Sequence, residues 1–144
     1  MMERKAIPRA VRRLVRERAG RRCEYCQHPD SLTTAPYVCE HVLPRVKGAG
    51  DTPDELAWSC PYCNGHKHIK THARDPQSNR LMPLFNPRRQ KWSQHFSWSE
   101  DSLLIVGRTA TGRATVEALK LNREELIELR HALHAVGKYP PVMK

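Results

Sequence analysis

The chain has 144 residues, 39% of them hydrophobic, with a mean hydropathy of −0.70. That length and polarity suit a single domain with a modest core, and no apolar run approaches the ~20 residues of a membrane-spanning helix. A net charge of +10 and a pI near 9.8 point to a polyanionic partner, usually nucleic acid. The excess is concentrated: residues 1–22 carry nine basic side chains against two acidic ones, which favours a polyanion-binding arm over an evenly solvated surface. The basic N-terminal stretch lacks the apolar segment of a secretory signal, so a cytoplasmic location is expected.

Residues 8–19 are predicted to be helical. Pro8 suits a first turn, Val11, Leu14 and Val15 form an apolar stripe, and Arg9, Arg12, Arg13 and Arg16 recur on another face. Gly20 ends the helix. Tyr37 to Leu43 reads as a strand between Pro36 and Pro44, residues 44–54 as a loop, and Leu56 to Ser59 as a second strand. A helix is predicted to begin near Cys60-Pro61 and to carry Cys63, Asn64 and Lys67. Residues 71–91, rich in Pro, Arg and Asn, read as an extended, loosely structured segment. A hairpin over Phe96–Trp98 and Leu103–Val106 follows, then a helix over about 112–121. A last helix is expected with Asn122 as N-cap and with Leu126, Leu129, Leu133 and Val136 on its buried face. Trp92, Phe96 and Trp98 are expected to pack this extension onto the rest.

Four of the five cysteines form two C-x-x-C pairs, Cys23/Cys26 and Cys60/Cys63. In a chain without an export signal this pattern reads as metal binding rather than disulfides. Each pair can fold into a knuckle that aims two sulfurs at one tetrahedral Zn²⁺, and four thiolates leave no open position, so the ion is expected to be structural. The 33 residues between the pairs would then form a unit clamped at both ends. Cys39, on the opposite strand face from Glu40, is expected to fill space in the core.

Between the knuckles lie Cys39-Glu40-His41-Val42-Leu43-Pro44-Arg45 and a glycine-bearing loop, followed by Glu55-Leu56-Ala57-Trp58-Ser59-Cys60-Pro61-Tyr62-Cys63-Asn64-Gly65-His66-Lys67. Phosphodiester hydrolysis needs a base for water and a cation for the developing charge. His41 has the chemistry of a base near neutral pH, and Glu40 and Asn64 are hard oxygen donors of the kind Mg²⁺ takes.

An acid-His dipeptide followed by two apolar residues and proline, paired with C-x-x-C-N-x-x-K, closely resembles the HNH endonucleases, a branch of the ββα-metal (His-Me finger) nucleases. The core resemblance covers about residues 21–70. Residues 83–88 (PLFNPR) and 111–115 (TGRAT) are similar to the C-terminal extension of a bacterial subgroup. The resemblance implies that His41 is the general base and that Glu40 and Asn64 hold a catalytic Mg²⁺ or Mn²⁺. It also implies that DNA is cut to 5′-phosphate and 3′-hydroxyl ends. Two positions depart from the family pattern: Glu40 stands where Asp is commoner, and Glu55 stands in place of a loop-bracing Asn. Arg45, Lys47, Lys67 and Lys70 are expected around the site as phosphate contacts, with Arg12, Arg13 and Arg16 gripping phosphates from the basic helix. His66 and His68 are spare candidates for metal or phosphate contact, each read first as an exposed, non-catalytic histidine.

The expected fold is small α+β in one domain, with a basic helical arm (1–22), a zinc-stapled ββα core (23–70) and a C-terminal extension (71–144). The expected partner is DNA, with no membrane and no small-molecule cofactor. The alternative reading is a non-catalytic, zinc-containing nucleic-acid-binding module. A zinc-stabilised protein-interaction scaffold is a third, and the net charge counts against it.

Overall fold

The computed structural model describes residues 6–44 and 51–139, so Arg45 and Lys47 lie outside the described residues. The fold is α+β, built of helices and three two-stranded antiparallel hairpins. Helix α1 spans Arg9–Arg18 and buries Val15. It closes as a Schellman turn: Gly20 takes φ 68°, its N–H donates to Glu17 and that of Arg21 to Arg16. Strand β1 (Val38–His41) pairs with β2 (Leu56–Ser59) in the register Cys39↔Trp58, Glu40↔Ala57, His41↔Leu56. Helix α2 (Pro61–Lys67) follows with Pro61 in its first turn. Side chains alternate across a hairpin, and here the alternation separates two partners. Arg12 of α1 lies over Trp58 on one face, while Lys67 of α2 meets Glu40 on the other. All four β2 residues are buried as a result.

Residues 71–91 are more ordered than their composition predicts. Strands β3 (His72–Arg74) and β4 (Leu81–Pro83) pair, and Asp75 builds the turn between them. Its carboxylate accepts from Gln77 N at 3.1 Å and Ser78 Oγ at 2.7 Å, and its backbone bonds to Arg80 and Asn79. Three-residue strands carry too little periodicity to be seen in advance.

Helix α3 (Trp92–His95) leads into β5 (Phe96–Trp98), which pairs with β6 (Ile105–Gly107) before helices α4 (Ala110–Ala118) and α5 (Glu124–Ala135). The aromatics pack as expected: Phe96 is buried against Phe85 and Trp92, and Trp92 Nε1 donates to Tyr25 O at 2.9 Å. Gly112 is needed for contact, since a Cβ there would fall 2.1 Å from His95 O. Two expectations for the last helix are corrected. Arg123 holds the N-cap position of α5, because the amide of Asn122 is spent bracketing Ile105 N and O at 2.8 Å each. The buried face is Leu126 and Arg130, whereas Leu129 and Val136 are 36% and 67% exposed. Arg130 is tolerated inside because it donates to Leu103 O, Leu121 O and Asn122 Oδ1.

One ion pair ties the extension to the rest, and a second braces the extension internally. Arg88 pairs with Glu24, which also accepts from Trp58 N at 2.8 Å. Arg113 makes a two-bond contact with Asp75 at 2.9 Å per bond. The Arg113 guanidinium holds the Asp75 carboxyl well below the usual carboxylate range. A depressed folded-state pKa contributes stability above the unfolded-state value and loses it as pH falls through the folded one. Asp75→Asn is therefore expected to lower the melting temperature by several degrees at pH 7. The gap between variant and wild type should narrow on acidification below about pH 4, the ordinary aspartate range. Differential scanning calorimetry across pH checks this, and a gap that does not narrow would show that the pair is not its source.

Candidate functional site

The four cysteines predicted to act together do converge. All are buried, none is in a disulfide, and their sulfurs lie within 4.8 Å of one another. Two local devices place them. Cys26 N donates to Cys23 Sγ at 3.5 Å, and Cys63 N donates to Cys60 Sγ at 3.3 Å, with Cys60 serving as the N-cap of α2. Across the knuckles, Cys26 Sγ and Cys60 Sγ are 3.9 Å apart. A tetrahedron with Zn–S bonds of about 2.3 Å has edges of about 3.8 Å, so the set fits a closed four-thiolate zinc. Arg123 adds a cation beside it, with Nη2 3.8 Å from Cys60 Sγ.

The cluster joins the start of α2 to the Cys23–Cys26 turn, and a second group comes together where α2 meets β1. Glu40 is 5% exposed, and Lys67 is 1% exposed and pairs with its Oε1. Tyr25 OH donates to Glu40 Oε2 at 2.7 Å. Lys67 Nζ also donates to Val42 O at 2.9 Å and His41 O at 3.3 Å, stitching α2 to the end of β1. Burial pushes the Glu40 carboxyl up, against the opposing pull of Lys67. Lys67, expected to face phosphate, is thus an internal cation. Both Glu40 oxygens are engaged by this chain, with an ammonium where a divalent ion would neutralise the carboxylate. In this arrangement Glu40 is closed to solvent between Lys67 and Tyr25, and its Oε1 has the Lys67 ion pair but no hydrogen bond. Asn64 itself is half-buried on α2, next to Cys63.

His41 closes β1 with its side chain 14% exposed, and its Nε2 lies 2.7 Å from Asp51 Oδ1. Among the described residues Lys70 is exposed, its Nζ donating to His66 O at 2.9 Å. Lys70 lies with His72 and Arg89 around a cleft of about 270 Å³ next to Val42. His66 is half-buried, and burial lowers its pKa; His68 is exposed. Cys39 is half-buried against the core.

On the other face, Arg9, Arg12, Arg13 and Arg16 wall an open groove of about 490 Å³ that also takes in Ser31, Thr33 and Thr34. Two of the four are tied to the body. Arg12 donates to Tyr37 O at 3.1 Å and lies over Trp58, and Arg16 makes two bonds to Asp30, at 2.7 and 3.1 Å. Arg9 and Arg13 are exposed.

Sequence reasoning passed over Tyr25, Asp51, Arg89 and Arg123. Tyr25 is a spacer inside C-x-x-C, and nothing in the sequence marks Asp51, ten positions from its partner.

Residues 23–70 match the family model for HNH endonucleases. No curated protein and no solved structure matches the chain. No helix among the described residues is long and apolar enough to cross a membrane.

Proposed function

We propose that this chain, whose residues 23–70 form an HNH-family segment, is an endonuclease that hydrolyses DNA phosphodiester bonds, with His41 taking the proton of the attacking water. The observation that carries the reading is a half-sheltered histidine at the end of a strand in a ββα unit that a four-cysteine cluster holds together. The cysteines hold a structural zinc. Activity depends on Mg²⁺ or Mn²⁺, because the developing phosphate charge needs a cation. Asn64 is an oxygen donor available to that ion, and Glu40 serves only if it parts from Lys67. Incubation with supercoiled plasmid and Mg²⁺ or Mn²⁺ tests the proposal, and a plasmid left uncut with both ions would refute it.

One observation favours a second reading, a zinc-bearing DNA-binding module without catalysis: the family's acidic position is closed by Lys67 and Tyr25. Such a module would bind the plasmid and never nick it.

Binding through α1 has its own expected result. Each neutralised phosphate contributes about 0.9 to the slope of log K against log salt. The sequence alone assigns phosphates to Arg12, Arg13 and Arg16, but Arg12 and Arg16 already have partners in the chain. The double variant R9Q/R13Q is therefore expected to flatten the slope by up to about two units. Arg16→Gln should chiefly cost stability through Asp30. Fluorescence anisotropy titrations at several salt concentrations measure the slopes, and an unchanged slope in R9Q/R13Q would remove the groove from the interface.

A further inference from the structure

We propose that Asp51, rather than Glu40, is the carboxylate that serves the hydrolytic centre, and that it does so as a positioning residue for His41. The inference rests on the hydrolase reading above and on two contacts. Glu40 is shut away, with Tyr25 OH on one oxygen, Lys67 on the other and 5% of its surface exposed. Asp51 has 34% of its side chain exposed and places Oδ1 2.7 Å from His41 Nε2.

A carboxylate accepts and does not donate, so a neutral His41 bonded to it carries its proton on Nε2. Nδ1 is then the ring nitrogen with a lone pair, available to take a proton from water. The bond also limits rotation of a ring that stands at the end of β1. In the productive step the water O–H bond breaks and its proton goes to Nδ1; the oxygen attacks phosphorus, and the P–O bond to the 3′ oxygen breaks with its electron pair on that oxygen, which takes a proton from solvent and leaves as the hydroxyl. That proton transfer needs one tautomer held in one orientation, and Asp51 supplies both conditions. Glu40 instead neutralises Lys67, whose ammonium joins α2 to the carbonyls of His41 and Val42.

The test uses the full-length, zinc-loaded protein. Heteronuclear NMR of the imidazole at a pH above the histidine range should show wild-type His41 as a single Nε2–H tautomer. Asp51→Ala should show mixed tautomers, whereas Asp51→Asn, which retains an acceptor oxygen, should keep the single form. In plasmid cleavage, Asp51→Ala should lower kcat with KM nearly unchanged. The loss should be about 10–100-fold, the scale set by carboxylates that orient metal-bound histidines, and Asp51→Asn should recover most of it. Glu40→Gln should lower the melting temperature, because it leaves Lys67 buried without a counter-charge. The proposal is overturned if Asp51→Ala leaves tautomer and kcat as they were. It is equally overturned if Glu40→Gln keeps full stability but raises the Mg²⁺ requirement, since Glu40 would then be a metal ligand. A wild type that never cuts defeats the hydrolase reading, while the tautomer measurement still reports separately on Asp51.

Discussion

His41→Ala is expected to reduce plasmid nicking by about 10²–10⁴-fold, the usual contribution of a general base. Zinc content, melting temperature and DNA affinity should stay nearly constant. The imidazole stands at a strand end, outside the cysteine cluster and the buried core, and its side-chain bond is to the partly exposed Asp51. Removing it therefore leaves no large cavity and no buried charge, and the stability change should stay within about 1 kcal/mol. The arginine groove lies beside Trp58 and α1, so binding should not register the loss. Nicking rates with Mg²⁺ and Mn²⁺, calorimetry and anisotropy on the same preparation separate these effects. A variant that cuts as fast as wild type would end the role of His41. One that loses activity and stability together would make the histidine structural.

The legible parts of this chain share a physical cause. Paired cysteines at fixed spacing leave few geometries, so Cys23, Cys26, Cys60 and Cys63 could be joined from their spacing alone, and they converge. Leu56–Ser59 and the start of α2 at Cys60-Pro61 were equally readable, because a β-rich run ending in proline stops a strand and opens a helix. What escaped depends on long-range pairing. A lysine in C-x-x-C-N-x-x-K reads as solvent-facing until the strand that covers it is in place. Only then does Lys67 become the internal partner of Glu40. Arg130 likewise breaks the apolar rhythm of α5, yet it is buried because three acceptors on loop and turn surround it. Asp51 carries no motif at all; only the fold brings it to His41.

Cys60→Ser is expected to produce the largest structural loss of any single change. Structural zinc sites supply apparent binding free energies of about 10–16 kcal/mol at neutral pH, comparable to the total stability of a domain of this size. Here the ion would join residues far apart in sequence, and Cys60 has further duties. Its sulfur caps α2 through Cys63 N, faces Cys26 across the cluster, and lies near Arg123 at the start of α5. Replacing it with serine removes a soft ligand, shifts the helix that carries Lys67, and leaves three buried thiols without their common partner. The released α2 would also draw Lys67 away from Glu40, so that buried contact should be lost along with the knot. Metal analysis should give one zinc per wild-type chain and much less in the variant, with loss of the cooperative melt in circular dichroism. A strong chelator should reproduce this on wild type. Cys39→Ser is the control, being half-buried and outside the cluster; it should retain zinc and change stability by no more than about 1 kcal/mol. A wild-type protein that is fully folded and contains no zinc would refute the assignment.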